Sequence, residues 1–193
     1  MEAETRASTA SRSTNVLRTE LRWAARATGH AAPEDVYDLL ADLRSHLVWG
    51  GEHQSRTTRL LSLEAPEGPA RVGTEFRSEG TDPMGRFEDT SVVTRAERPR
   101  LFEFVTEARL VTAGGRTVEW TIVHRYEITP SPQAGCRVDY EGRIVRISEL
   151  PGMLRLLGIP GIRTLALKAS GGLAARGLRN LVRLAEERAG AGV

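Results

Sequence analysis

The chain has 193 residues, a single cysteine and a formal net charge of +2, which fits one domain burying its own core without disulfide or zinc staples. No stretch approaches the ~20 apolar residues that cross a bilayer, since the 150–167 window is broken by Pro151, Arg155, Pro160 and Arg163. Charge is unevenly placed, −3 over residues 1–150 and +5 over residues 151–193, and the plain reading of the basic end is a solvated helix face.

Residues 1–15 are rich in Ser, Thr, Arg and Ala without an apolar signal core, so the expectation is a disordered tail ahead of one domain spanning 16–193, in a soluble, cytoplasmic protein. From Glu20 to Thr28 the side chains alternate, Leu21, Trp23, Ala25 and Ala27 against Glu20, Arg22, Arg26 and Thr28, which predicts a half-buried first strand. Pro33, Glu34 and Asp35 then mark a helix start, and Val36, Leu39, Leu40, Leu43 and Leu47 recur at helical spacing as far as Gly50-Gly51. Six strand patterns follow over 57–63, 73–79, 87–96, 101–110, 116–129 and 137–147, joined by short turn-rich pieces that predict hairpins and an antiparallel sheet. The last 40 or so residues read as one helix ending near Gly190, with an apolar stripe placed at Ile162, Leu165, Ala169, Leu173, Leu181 and Leu184.

Seven strands, short helices after the first and one long final helix make an α+β chain in which only that helix is long enough to cover one face of the sheet. The pattern resembles the START-like, Bet v 1-like superfamily, in its polyketide cyclase/dehydrase and lipid-transport branch, over about 17–189. The resemblance is carried by Ala-Pro-Glu-Asp-Val-Tyr-Asp-Leu-Leu-Ala-Asp (32–42), Trp49, Arg-Val-Gly-Thr-Glu-Phe (71–76) and Arg-Pro-Arg-Leu-Phe-Glu-Phe (98–104). It implies a helix-grip fold, a curved sheet wrapped around the C-terminal helix, with a hydrophobic small molecule of polyketide, lipid or aromatic type bound between them. Members either carry such ligands or catalyse their cyclisation or dehydration, so fold alone leaves the two open.

No phosphate loop, dinucleotide fingerprint, nucleophile elbow or zinc-protease motif occurs in the sequence, and no cofactor or metal is expected. The informative segment is 116–129, whose alternation puts Val118, Trp120, Ile122, His124, Tyr126 and Ile128 on one face, expected to line the cavity. His124 is there either a general acid or base or a core histidine with its hydrogen bond satisfied. Tyr140, one strand on, either orients a ligand carbonyl or serves as packing surface. By resemblance Trp49 lies near the cavity entrance, and Phe76, Phe104, Trp120 and Tyr126 shape the pocket. Arg86 is a candidate anion binder toward the entrance, and Gly172, on the cavity side of the last helix, a device that leaves room for ligand. His46 and His53 lack a third ligand at metal-site spacing, and Cys136 reads as a small packing residue. Nucleic acid is not an expected partner; contact of the basic helix with anionic membranes, as a non-catalytic lipid carrier, and homodimerisation stay open.

Overall fold

The computed structural model describes residues 21–50, 58–148 and 159–191. The expected tail at 1–15, His53 and residues 151–158 lie outside them. Strand β1 (Leu21–Gly29) leads into α1 (Pro33–Ala41), a single 3-10 turn (Leu43–Ser45) and α2 (His46–Trp49). Then come β2 (Arg59–Glu64), β3 (Glu75–Asp82), β4 (Gly85–Glu97), β5 (Leu101–Thr112), β6 (Thr117–Ser131), β7 (Gly135–Ile147) and α3 (Pro160–Ala191).

The seven strands form one antiparallel sheet in the order β1-β7-β6-β5-β4-β3-β2, so β1 crosses over to pair with the last strand while every other neighbour is a hairpin. Register shifts at Leu60/Ser62, Val93/Arg95 and Thr121/Ile122 bend the strands locally, as bulges do, and help the sheet curve. The outer face is polar and laced by ion pairs, among them Arg26 to Asp139 at 2.5 Å and Arg146 to Glu107 at 2.8 Å.

Inside the curve, α1 buries Val36, Tyr37, Leu39 and Leu40 against the sheet, Tyr37 meeting Phe102 edge-on at 6.0 Å. The C-terminal half of α3 buries Leu178, Leu181, Val182 and Ala185. It can lie so close to β1 because Gly29 carries no side chain: a Cβ there would fall 2.0 Å from Val182 Cγ1. The Glu186 carboxylate fixes the same joint by accepting a hydrogen bond from the His30 backbone N–H at 2.6 Å.

The expected stripe holds in the second half of α3, where Leu173 lines the cavity and Leu181 and Leu184 pack on the core, but the first half departs from it. Ile162 and Leu165 point outward, at 39% and 70% exposure, while Arg163, Leu167, Ser170, Ala174 and Gly177 turn toward the sheet. The well-packed C-terminal half sets this phase, because stepping back from Leu181 by threes and fours at 100° per residue lands on those positions. Gly172 is exposed, with nothing within 4 Å of where its Cβ would be; this corrects its assignment to the cavity side, and Gly177 is the helix glycine that lines the cavity. Gly172→Ala is therefore expected to stabilise the protein by up to about 1 kcal/mol through helix propensity, read from thermal unfolding, with ligand uptake unchanged. A loss of stability would contradict the helix phase.

Candidate functional site

Between the concave face of the sheet and α3 lies a cavity of about 470 Å³, within the size range of small-molecule sites. Its wall is predominantly apolar and aromatic. Trp23, Trp49 and Trp120, all three tryptophans of the chain, line it, together with Phe76, Phe87 and Phe104.

Period-2 alternation delivers these groups. On β6, Trp120, Ile122, His124 and Tyr126 face inward, while Arg125 and Glu127 face outward and pair with each other at 2.5 Å. Neighbouring strands add Phe104 across from His124, and Tyr140 across from Tyr126. A side chain at position 142 would collide with the indole of Trp23, its Cβ falling 2.3 Å from two ring carbons. Gly142 thus lets Trp23 lie flat against β7 and form part of the wall.

One group of polar side chains, around His124, Tyr140 and His46, lies beside α2. His124 Nδ1 and Tyr140 Oη are 2.9 Å apart, a hydrogen bond whose donor depends on the tautomer. The His124 ring stacks on Phe104 at 4.6 Å and 15°. His46, on α2, packs against Trp49 at 4.0 Å and edge-on to Phe104 at 6.1 Å, so the two imidazoles flank one phenyl ring. Burial pushes His124 down to about 3, with the nearby His46 adding to the effect, and burial pushes His46 down to about 4, the Leu43 carbonyl offsetting a little of it. Both rings are neutral at pH 7. His46 Nδ1 is buried without a well-formed hydrogen bond, a cost a bound ligand can relieve.

α2 is held in place by its own polar network. Trp49 Nε1 donates to Ser45 Oγ at 2.9 Å, Ser45 Oγ donates to the Leu39 carbonyl at 2.7 Å, and Asn180 Nδ2 of α3 donates to the Trp49 carbonyl at 3.2 Å. Trp49 is therefore both an anchor between α2 and α3 and part of the cavity wall.

Of the residues expected at the site, Trp49, Phe76, Phe104, Trp120, His124, Tyr126 and Tyr140 all line this one cavity. Arg86 does not, a correction in physical terms: it has the opposite parity to Phe87 on β4, lies on the outer face and pairs with Glu79. Cys136 is fully buried in the core beside β1, and burial pushes its thiol up. Among the cavity groups the sequence does not place there are His46, weighed only as a metal ligand and carried by a four-residue helix too short to show periodicity, and Arg163, readable only from the phase of the far half of α3.

The family model described as polyketide cyclase / dehydrase and lipid transport matches residues 21–186. No curated protein matches by sequence. Among solved structures, an uncharacterised protein from Rhizobium leguminosarum is 13% identical with a TM-score of 0.59, covering 88% of this chain and 96% of that one. The di-domain ARO/CYC StfQ from the steffimycin biosynthetic pathway is 14% identical with a TM-score of 0.58, covering 89% of this chain and 52% of that one. Ara h 8.0201 is 9% identical with a TM-score of 0.51, covering 84% of this chain and 99% of that one. At these identities the likeness is one of fold.

Proposed function

The chain belongs to the polyketide cyclase / dehydrase and lipid transport family, and on that premise we propose that it binds a hydrophobic, polycyclic or acyl small molecule between sheet and α3. The observation that carries this reading is the cavity of about 470 Å³ whose wall is predominantly apolar and rich in aromatic rings. His124 and Tyr140 would orient a ligand oxygen, one of the pair donating while the other accepts.

The depressed basicity of His124 weighs on the choice between carrier and enzyme. A base whose conjugate acid titrates near 3 is a poor proton acceptor at neutral pH, where the best catalytic groups titrate near the working pH. The neutral hydrogen-bonding role is therefore favoured over proton abstraction. Any cyclisation or dehydration would draw chiefly on holding a flexible chain in a reactive conformer, with Tyr140 near the reacting oxygen.

Tryptophan fluorescence tests the reading directly, since all three indoles line the cavity. Anthraquinone and anthracene, alike in shape but differing in their carbonyls, are both expected to quench it saturably. Tyr140→Phe should weaken anthraquinone about threefold to tenfold, one hydrogen bond's worth, and leave anthracene unaffected. Absence of saturable quenching by either would sink the binding proposal; equal losses for both would remove Tyr140 from oxygen recognition.

A further inference from the structure

The cavity has a second polar pole, at the end opposite His124. Arg163, in the first turn of α3, is half-buried and lines the cavity. Among the described residues it enters no ion pair or side-chain hydrogen bond and is the one permanent cation on the wall. The two lining carboxylates do not neutralise it. Asp82 accepts from the backbone N–H groups of Met84 and Gly85 at 2.7 and 2.9 Å, and so belongs to the β3–β4 turn, while Asp89 has an interaction of its own.

From 160 to 185, α3 carries Arg163, Lys168, Arg176, Arg179 and Arg183 and no acidic residue, so the helix itself offers Arg163 no carboxylate to pair with. Apolar groups lead inward from there, with Trp120, Ile144, Ile147, Met84 and Phe87 packed as a cluster at this end. Arg163 and Gly177, both on the wall, are separated by about 21 Å along the helix axis, and Leu178 next to Gly177 packs in the same core cluster as Phe104, Tyr126 and Tyr140.

We propose that the ligand is an anionic amphiphile, a carboxylate on a polycyclic or acyl body, seated with its head on Arg163 and its apolar end toward His124 and His46. The proposal rests on the hydrophobic-cavity reading and deepens it by naming head group and orientation. A guanidinium suits a carboxylate because its planar fork donates two parallel hydrogen bonds, and partial burial strengthens both relative to water. Its incomplete burial leaves this end in contact with solvent, where a charged head can stay partly hydrated while the body is desolvated.

The test compares pyrenebutyrate with pyrenebutanol, the same body with a charged or neutral head, by energy transfer from the cavity tryptophans at pH 8. The wild-type protein should bind the acid on the order of tenfold more tightly than the alcohol, and Arg163→Gln should erase that preference while leaving the alcohol's affinity unchanged. Arg163→Lys should retain part of it, and Arg86→Gln, on the outer face, all of it. Equal affinity for the two probes in the wild type, or a preference that survives Arg163→Gln, overturns the anionic head while leaving a hydrophobic cavity standing. Failure of both probes to bind overturns the cavity reading and this proposal together.

Discussion

Moving the protein from pH 7 to pH 4 is expected to cost on the order of 3 kcal/mol of folding stability through His46 and His124 alone. In the unfolded chain each imidazole titrates near 6.5, whereas burial holds them down to about 4 and about 3 in the fold. Their neutral forms are accommodated at no titration cost above pH 6.5. As pH falls through 6.5 the unfolded chain takes up protons that the folded one refuses, so stability drains away. It levels off only below the folded values. Each unit of separation corresponds to about 1.4 kcal/mol, and the figure given is roughly half the unscreened sum because both rings border a cavity that water can enter. Urea midpoints at pH 7, 5.5 and 4 measure it. The double variant His46→Gln/His124→Gln should lose most of the slope between pH 6.5 and 4, and an unchanged slope would assign acid sensitivity to other groups.

Phe102→Ala should remove about 3–5 kcal/mol, the usual range for a large buried aromatic truncated to alanine. Phe102 is 0% exposed and heads the fully buried side chains by volume. It meets Tyr37 of α1 edge-on on one side and Phe104 at 6.3 Å on the other, so its removal empties the joint between helix and sheet where neither can move in without breaking strand pairing. Phe87→Ala is the matching control, since Phe87 is half-buried on the cavity wall and borders space that is already open. Its cost should be clearly smaller. Equal losses in chemical denaturation would mean that the two rings sit in equally tight surroundings, contrary to the packing described.

The sheet was legible because its signal is local. On β6, six inward residues alternate with Thr117, Glu119, Thr121, Arg125 and Glu127, broken only by the apolar Val123, so the face carrying Trp120, His124 and Tyr126 could be read from that strand alone. Arg86 shows the same rule neglected: Phe87 is next to it and faces inward, and period 2 therefore sends Arg86 outward. The helix was harder. Its first half offers Ile162, Leu165 and Leu167 on different sides, with alanines and glycines between, so no single stripe stands out there. Only the packing of Leu178, Leu181 and Val182 against β1 and α1 fixes its rotation, and this is long-range information. His46 and Tyr140 illustrate the other limit, because a strand pattern gives a residue's face but not which side chain from a distant element will come to meet it.

Cys136, the chain's one thiol, has a further consequence. It is fully buried at the start of β7, opposite Gly29 of β1, and burial also disfavours the thiolate through which it would react. Reagent can therefore reach the sulfur only while this seam has come apart, and modification proceeds at a rate set by how often that happens. The residue acts as a clock for the loosening of the grip, placed at the joint where Gly29, Val182 and Glu186 hold helix to sheet, and it keeps time without any substitution in the protein.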